Sequence, residues 1–120
     1  MARSISSSFD SAVTGFFGTR NPSVGEAEGS HAAYVAALRA HGTEVTVLPA
    51  LPEHPDCCFT EDTAVIVGDV AVIPNMGHPS REGEQEAVVE HLSDRYEIDR
   101  MPKGATLDGG DVVFYDDRYL

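Results

Sequence analysis

The sequence contains no tryptophan, a single lysine (Lys103) and two cysteines among its 120 residues. Eight basic residues against twenty acidic ones give a net charge of −12, which excludes a nucleic-acid partner, because phosphate backbones bind clustered cations. No apolar run approaches the ~20 residues that span a bilayer. Because residues 1–5 also lack the apolar core of a secretory signal, we expect a cytoplasmic protein with no membrane partner.

The two cysteines, Cys57 and Cys58, are neighbours in the chain. Adjacent cysteines seldom reach disulfide geometry without strain, and no pair of nearby histidines completes a zinc site. The sequence therefore predicts two partly buried thiols in a reducing compartment. A reactive or redox role is the alternative interpretation.

What the sequence does contain is a pair of acidic turns, each followed by a hairpin pattern. The first turn, residues 55–63, leads into the apolar residues 64–73, and the second turn, residues 106–111, leads into residues 112–120. A shift of 48 residues lays Gly68-Asp69 on Asp116-Asp117. Carboxylates gathered at the mouths of strands suit a cationic amidine such as a guanidinium, which offers paired donors.

The remaining patterns predict the elements that connect these turns. The spacing of Ser23 and Glu26 is that of a capping box, and Gly42 lies where a helix-ending glycine belongs. An edge strand and a long loop are expected over residues 1–22, a helix over 25–41, strands over 44–48 and 97–101, and a hairpin over 64–73. A second helix is expected to open at Pro79-Ser80, with Glu82 and Glu84 in its first turn.

The repeated order of helix, strand, acidic loop and hairpin predicts an α/β fold built from ββαβ units in a propeller-like array. Such arrays need at least about three units to enclose a core, and about two are present here. The second hairpin is expected to be unfinished at Leu120, which leaves an uncovered strand edge. We therefore expect either a homo-oligomer or association with a missing C-terminal half.

In these motifs the chain resembles the dimethylarginine dimethylaminohydrolase family of the amidinotransferase (pentein) superfamily. The resemblance is carried by Leu48-Pro49, Pro55-Asp56 with Phe59, Glu61 to Val65, Gly77 with Pro79 to Arg81, Gly83-Glu84, Thr106 to Val112, and His31 to Tyr34. It implies a fold of five ββαβ units around a central site. Residues 1–120 would then form the N-terminal part of one such domain, which is incomplete in this chain.

The resemblance also implies roles for four of the carboxylates. Asp62 would hold the substrate guanidinium, and Asp108 would bind it too while orienting the catalytic histidine. Asp56 and Glu61 would lie around the amino-acid end of the substrate. Two carboxylates can bind the planar guanidinium through paired, charge-assisted hydrogen bonds and leave its central carbon exposed.

For the other end of the substrate, the resemblance implies that Arg81 pairs with the α-carboxylate and that Val13 lies in a lid. The usual arginine-rich run of the family is altered here to residues 75–82, in which Arg81 is kept. No metal or other cofactor is implied.

The reaction implied by the resemblance is hydrolysis of Nω-methylated L-arginine to L-citrulline and a methylamine. The resemblance implies a cysteine nucleophile and a histidine acid–base that come from the later half of the family's fold, so we expect both to lie outside this chain and the chain alone to be inactive. The alternatives are an arginine deiminase or amidinotransferase of the same superfamily, or a non-catalytic, oligomerising half-domain that binds guanidino compounds.

Overall fold

The computed structural model describes residues 1–13 and 22–120, which separate into two compact units, Met1–Phe59 and Thr60–Leu120. Both units combine strands with helix, so the predicted α/β class is confirmed. In the described part of the chain, no helix has the length and apolarity needed to cross a membrane.

The first unit contains one long helix and two short strands. Strand β1 (Ala2–Arg3) pairs in parallel with β2 (Val47–Leu48), and a 3-10 turn spans Phe9–Ser11. The strand predicted over residues 44–48 is shorter than expected, because the ladder extends only as far as its two-residue partner.

Helix α1 (Val24–Ala40) begins and ends as the sequence predicts. Ser23 and Glu26 form the capping box, and Gly42 adopts a left-handed φ of +85°, which glycine reaches without a steric penalty. The three- and four-residue spacing of Tyr34, Ala37, Leu38 and His41 predicts that these residues form the buried face, and for Tyr34 and Ala37 this prediction is wrong. Ala27 and Val35 point into the core, whereas Tyr34 is 58% exposed.

Two small apolar clusters hold the first unit together. One contains Ala2, Val35 and Val45, with Leu38 packed against it. The other forms around the aromatic ring of Phe9 and contains Ala12 and Ala27, with Ile5, Val24 and Cys58 at its edge. Helix α1 contributes to both clusters, so it is the element around which this unit is organised.

The second unit begins with a three-stranded sheet. The predicted hairpin is formed by β3 (Val65–Val67) and β4 (Val70–Ile73), which are antiparallel around Gly68 at φ +58°. The strand predicted over 97–101 is present as β5 (Glu97–Arg100), and it pairs in parallel with β4. Between them lies helix α2 (Glu86–Leu92), whose Val88 is fully buried.

The prediction that a helix opens at Pro79-Ser80 is wrong. Pro79–Arg81 form a 3-10 turn, and α2 begins five residues further on. Gly83 has a φ of +96°, a left-handed conformation that a right-handed helix cannot continue through. Glu84 consequently faces the protein interior instead of serving the first turn of a helix.

The last hairpin consists of β6 (Phe114–Tyr115) and β7 (Arg118–Tyr119). Asp116 and Asp117 both adopt left-handed φ angles of +50° and +56°, the conformation of a two-residue hairpin turn that aspartate tolerates. Val113 and Leu120 exchange two backbone hydrogen bonds of 2.9 and 2.8 Å, so this hairpin is closed. Strand β4 runs on to Ile73, whose counterpart in the 48-residue shift lies beyond Leu120, so the expectation of an unfinished hairpin stays a prediction.

The 48-residue repeat predicted from the turns is confirmed by the hairpin register. Val65 pairs with Val72 in the first hairpin, and Val113 pairs with Leu120 in the second, at the same offset. The two hairpins are also joined directly, because the hydroxyl of Tyr119 donates a 2.9 Å hydrogen bond to the carbonyl oxygen of Ile66.

Candidate functional site

The two acidic turns pack against each other within the second unit. The first is a 3-10 turn over Thr60–Thr63, and the second is a 3-10 turn over Gly109–Asp111. A side chain at Gly109 would place its Cβ 2.6 Å from the carbonyl oxygen of Glu61, which is closer than real Cβ contacts come. Glycine at this position is therefore what lets the two turns touch.

Asp62 is held at this junction from two sides. Its Oδ1 accepts a 3.1 Å hydrogen bond from the backbone N–H of Gly110, and its Oδ2 accepts a charge-assisted hydrogen bond from Nη1 of Arg81. A Cβ on Gly110 would lie 2.4 Å from the same Oδ1. The side chain of Asp62 is 19% exposed, so this fixed carboxylate still reaches the surface.

Asp108, at the start of the second turn, is fixed in a similar way. Its Oδ1 accepts a 3.2 Å hydrogen bond from the backbone N–H of Gly77, and the residue is half-buried. A Cβ on Gly77 would lie 3.3 Å from its Oδ2, so Gly77 gives the carboxylate room. Asp62 and Asp108 are thus each oriented by a glycine amide, and their two turns are in contact.

Glu61 precedes Asp62 in the first turn, but its position is different. The residue is exposed, and its backbone oxygen faces Gly109. The structure therefore brings Glu61 to the same junction as Asp62 without enclosing its side chain.

Arg81 lies inside the second unit and is only 7% exposed. Its Nε donates hydrogen bonds of 3.3 and 3.1 Å to the two carboxylate oxygens of Glu84, and its Nη2 donates one of 2.8 Å. With the bond from Nη1 to Asp62, the guanidinium links two carboxylates. Burial by itself lowers the pKa of Arg81, but the hydrogen bonds and charges of Glu84 and Asp62 outweigh it and raise the pKa above its ordinary value.

Glu84 is the functional candidate that the sequence reasoning missed. Its side chain is completely buried and pairs with Arg81 three residues earlier. The sequence predicts a favourable position for it in the first turn of a helix, whereas the helix begins at Glu86. The available signal was the Arg-x-x-Glu spacing of Arg81 and Glu84, with Gly83 between them. It indicates an inward-facing ion pair only when helix α2 is known to begin after Glu84.

Asp56 and Val13, two other predicted site residues, lie together in the first unit. Asp56 is buried, and both of its carboxylate oxygens accept hydrogen bonds, of 3.2 and 3.3 Å, from the backbone N–H of Val13. The side chain of Val13 is exposed. Asp56 thereby fixes the main chain at Val13, immediately before residues 14–21, which lie outside the described part of the chain.

Both cysteines belong to the first unit, and Cys58 is half-buried. Cys57 is buried in the first unit, where its thiol contacts the backbone of Ser4 and accepts a 3.4 Å hydrogen bond from the N–H of Leu51. Within residues 1–13 and 22–120, no group of three metal-ligating side chains is close enough to hold a metal ion.

The arrangement in the second unit can bind a cation. Two oriented carboxylates lie on turns that touch, and the guanidinium of Arg81 that pairs with Asp62 is also balanced by the carboxylate of Glu84. Fixed carboxylates of this kind match the fork of donors that a planar guanidinium presents.

Comparison with known proteins gives the chain its relatives. The model of the family described as "N,N dimethylarginine dimethylhydrolase, eukaryotic" matches residues 21–119. A dimethylarginine dimethylaminohydrolase of Pseudomonas aeruginosa is 30% identical over 82% of this chain and 39% of its own length. The corresponding protein of Streptomyces coelicolor is 38% identical over 68% of this chain and 32% of its own length.

Solved structures agree with the sequence relatives. A dimethylarginine dimethylaminohydrolase adduct with S-methyl-L-thiocitrulline matches with a TM-score of 0.92 at 28% identity, covering 98% of this chain and 47% of that one. A variant of the Pseudomonas aeruginosa enzyme complexed with citrulline matches with a TM-score of 0.91 over the same shares. AgrE, at 19% identity and a TM-score of 0.78, shares the fold.

The chain spans less than half the length of these relatives, between 32% and 39% of the two enzymes compared by sequence and 47% of the two compared by structure. The family match itself covers nearly the whole of the present sequence. On this evidence the chain belongs to the dimethylarginine dimethylaminohydrolase family.

Proposed function

We propose that this chain supplies the guanidinium-binding part of an amidinohydrolase that converts Nω-methylated L-arginine to L-citrulline and a methylamine. The observation that carries the proposal is the pair of carboxylates, Asp62 and Asp108, each fixed by a glycine amide on turns that touch. Family membership supplies the class of reaction.

In this proposal the guanidinium bonds to the free lone pairs of both carboxylates. Each carboxylate already spends one acceptor site on an amide, so the bound geometry is set before the ligand arrives. Such pre-orientation lowers the entropic cost of binding. Asp108 has the further task of orienting a catalytic histidine, and this makes it the one catalytic residue assigned to the chain.

The reaction needs a thiolate that adds to the central guanidinium carbon, expelling methylamine and leaving a covalent thiouronium. Water then adds to that carbon and displaces the thiolate, which yields citrulline. A histidine gives a proton to the leaving amine and takes one from the water. We propose that this cysteine and histidine lie outside the 120 residues, in the later half from which the family's resemblance draws them; the buried thiol of Cys57, enclosed by backbone of the first unit, supports this for one of the two cysteines.

The amino-acid end of the substrate is assigned to Asp56 and Glu61, and Val13 is assigned to a lid; both assignments stay predictions. What supports them is the double hydrogen bond by which Asp56 fixes the main chain of Val13. The contact expected between Arg81 and the α-carboxylate also stays a prediction.

We also propose that the last hairpin is covered in the working protein, by a second copy or by a C-terminal half. Several large apolar side chains of this hairpin are exposed, with Leu120 reaching 71%. Exposed apolar patches of this kind mark interaction surfaces. Sedimentation velocity should therefore show the 120-residue chain as a dimer or larger species, and a stable monomer would contradict the proposal.

A citrulline-release assay tests the proposed reaction. The protein that carries this chain together with a C-terminal half should release citrulline from Nω-methyl-L-arginine faster than from L-arginine, whereas the 120-residue chain alone should release none. Preference for L-arginine would favour a deiminase instead, and release by the chain alone would refute the assignment of the nucleophile to other residues.

A further inference from the structure

We infer that Asn75 is a positioning residue for Asp108, the carboxylate at the start of the second acidic turn. Asn75 follows strand β4 and anchors the loop of residues 102–107, which leads directly into Asp108. The inference rests on the proposed function, because it concerns how one of the two carboxylates of the same site is held in place.

The side-chain amide of Asn75 gathers carbonyl oxygens of this loop. Its Nδ2 donates hydrogen bonds of 3.0 Å to the carbonyl of Pro102 and 2.8 Å to that of Ala105, with a longer contact of 3.5 Å to that of Met101. A primary amide has two hydrogens, so the two nearer carbonyls use its full capacity as a donor. Carbonyl oxygens carry like partial charges and repel each other, so the amide hydrogens between them are what makes this arrangement favourable.

The backbone of Asn75 holds the end of the same loop. Its carbonyl oxygen accepts a 3.0 Å hydrogen bond from the N–H of Leu107, the residue before Asp108. Within the part of the chain that the structure describes, every hydrogen bond between residues 102–107 and another segment ends on Asn75. Residues 102–106 are exposed, so apolar packing contributes little to fixing them. The course of the loop therefore depends on this one residue.

The direction of the Asp108 carboxylate is set from outside its own turn. An aspartate before a helical turn commonly accepts a hydrogen bond from an amide of that turn, but Asp108 makes no such bond to Gly109–Asp111. Its Oδ1 instead accepts the 3.2 Å hydrogen bond from the N–H of Gly77. Gly77 follows Asn75 by two residues, so one short segment fixes both the loop and the carboxylate.

Loss of the Asn75 side chain should therefore move Asp108 and leave Asp62 in place. Without its anchor the loop shifts, and the carboxylate of Asp108 moves away from the amide of Gly77. Asp62 lies on the other acidic turn, and its donor Gly110 belongs to a turn that packs against that one. An anchor that only stabilised the fold would leave the bond between Gly77 and Asp108 intact in the folded molecules.

The amide protons of Gly77 and Gly110 report on the two carboxylates separately. Each donates to one carboxylate, so its chemical shift responds when that carboxylate is protonated. The experiment compares NMR spectra of the 15N-labelled 120-residue chain at pH 6 and pH 3, without ligand, in the wild type and in Asn75→Ala. The response of the Gly77 amide should be lost in the variant, and that of the Gly110 amide should be retained.

Binding provides the second readout. The probe is N-methylagmatine, the decarboxylated analogue of Nω-methyl-L-arginine, which tests the contacts of the guanidinium without those of an α-carboxylate. Asn75→Ala should weaken its affinity by about tenfold or more in an NMR titration, because one hydrogen-bonded carboxylate is moved away from the cation. A wild type that does not bind the probe would refute the proposed function, and the ligand-free amide response would then decide the inference by itself.

Two further variants make the result specific. Ser93→Ala is the matched control, because it removes one exposed hydrogen bond of 3.0 Å from a side chain to a backbone carbonyl, at the end of α2 in the same unit. It should change neither readout. Gly104→Ala disturbs the loop itself, since Gly104 has a left-handed φ of +94° that alanine adopts only with strain, whereas a Cβ there meets nothing within 4 Å. It should reproduce the loss at Gly77.

Three results in folded Asn75→Ala would overturn the inference: an unchanged response of the Gly77 amide, loss of the Gly77 and Gly110 responses together, or undiminished affinity for a probe that the wild type binds. If Asn75→Ala does not fold, Gly104→Ala decides in its place, and an unchanged Gly77 response in that variant would overturn the inference.

Discussion

Replacing Gly109 by alanine is expected to force the two acidic turns apart. The new Cβ would lie 2.6 Å from the carbonyl oxygen of Glu61 and 3.2 Å from those of Asp62 and Ala64. These are backbone atoms, so no flexible side chain can yield. The clash must be relieved by movement of one turn relative to the other, which also carries Gly110 away from the carboxylate of Asp62.

The size of the effect can be estimated from known overpacking substitutions, which cost about 1–3 kcal/mol. A chain of this length has an unfolding entropy of about 0.25 kcal/mol/K, so Tm should fall by about 4–12 °C. Thermal unfolding followed by circular dichroism measures this shift. The affinity for Nω-methyl-L-arginine should fall in the same variant, because Asp62 loses its amide donor.

Gly29 offers the matched control for this substitution. It lies within α1, and a Cβ there meets nothing within 4 Å. Gly29→Ala should therefore raise stability by about 0.5–1 kcal/mol, since alanine is the better helix residue. If Gly109→Ala melted at or above the wild-type temperature, the close contact between the acidic turns would be refuted.

Three further outcomes are expected. Asp62→Asn should weaken binding of N-methylagmatine by about tenfold or more in an NMR titration, because the charge that pairs with the guanidinium is lost; undiminished affinity would contradict the site. Ser23→Ala should lower the free energy of unfolding by about 1 kcal/mol in urea denaturation, through loss of the capping box, and an unchanged midpoint would argue against it. The hydrogen bonds from Ser23 hold the pKa of Glu26 below its ordinary value of 4.5, so their contribution to helix stability is present above about pH 4.5 and is lost as pH falls through the lowered pKa. The N-terminus of α1 in the wild type should therefore fray at pH 3 but not at pH 6 when the two are compared by NMR. Identical spectra at the two pH values would refute the linkage.

The local elements with strong sequence signals were predictable. The capping box at Ser23 and the glycine after the helix bracket α1, because both satisfy backbone groups through local contacts. The Gly68-Asp69 hairpin and its 48-residue repeat were predictable for the same reason: a two-residue turn depends on its own residues.

The elements that depend on distant partners were not predictable. Strand β2 is short because β1 is short, and backbone pairing cannot extend beyond the end of the partner strand. The second helix begins late because Gly83 turns the chain and Glu84 is drawn inward to Arg81. A burial-driven ion pair of this kind leaves no periodic pattern in the sequence.

The sequence and the resemblance predicted which carboxylates form the site, but not the hydrogen bonds that orient these carboxylates. Asp62 and Asp108 were candidates by motif, whereas the glycine amides that orient them became visible only in the fold. By sequence alone, Asp108-Gly109-Gly110-Asp111 has the composition of a common turn. Neither Gly109 nor Gly110 has room for a Cβ, because both contact the other acidic turn, 48 residues earlier in the chain.

The central claim is that one guanidinium is held by Asp62 and Asp108 together. The amides of Gly110 and Gly77 donate to these two carboxylates, so each amide reports on one of them. Titration of the 15N-labelled chain with N-methylagmatine should shift both amide signals along curves with a single Kd. Movement of only one signal, or two unrelated Kd values, would contradict a shared site.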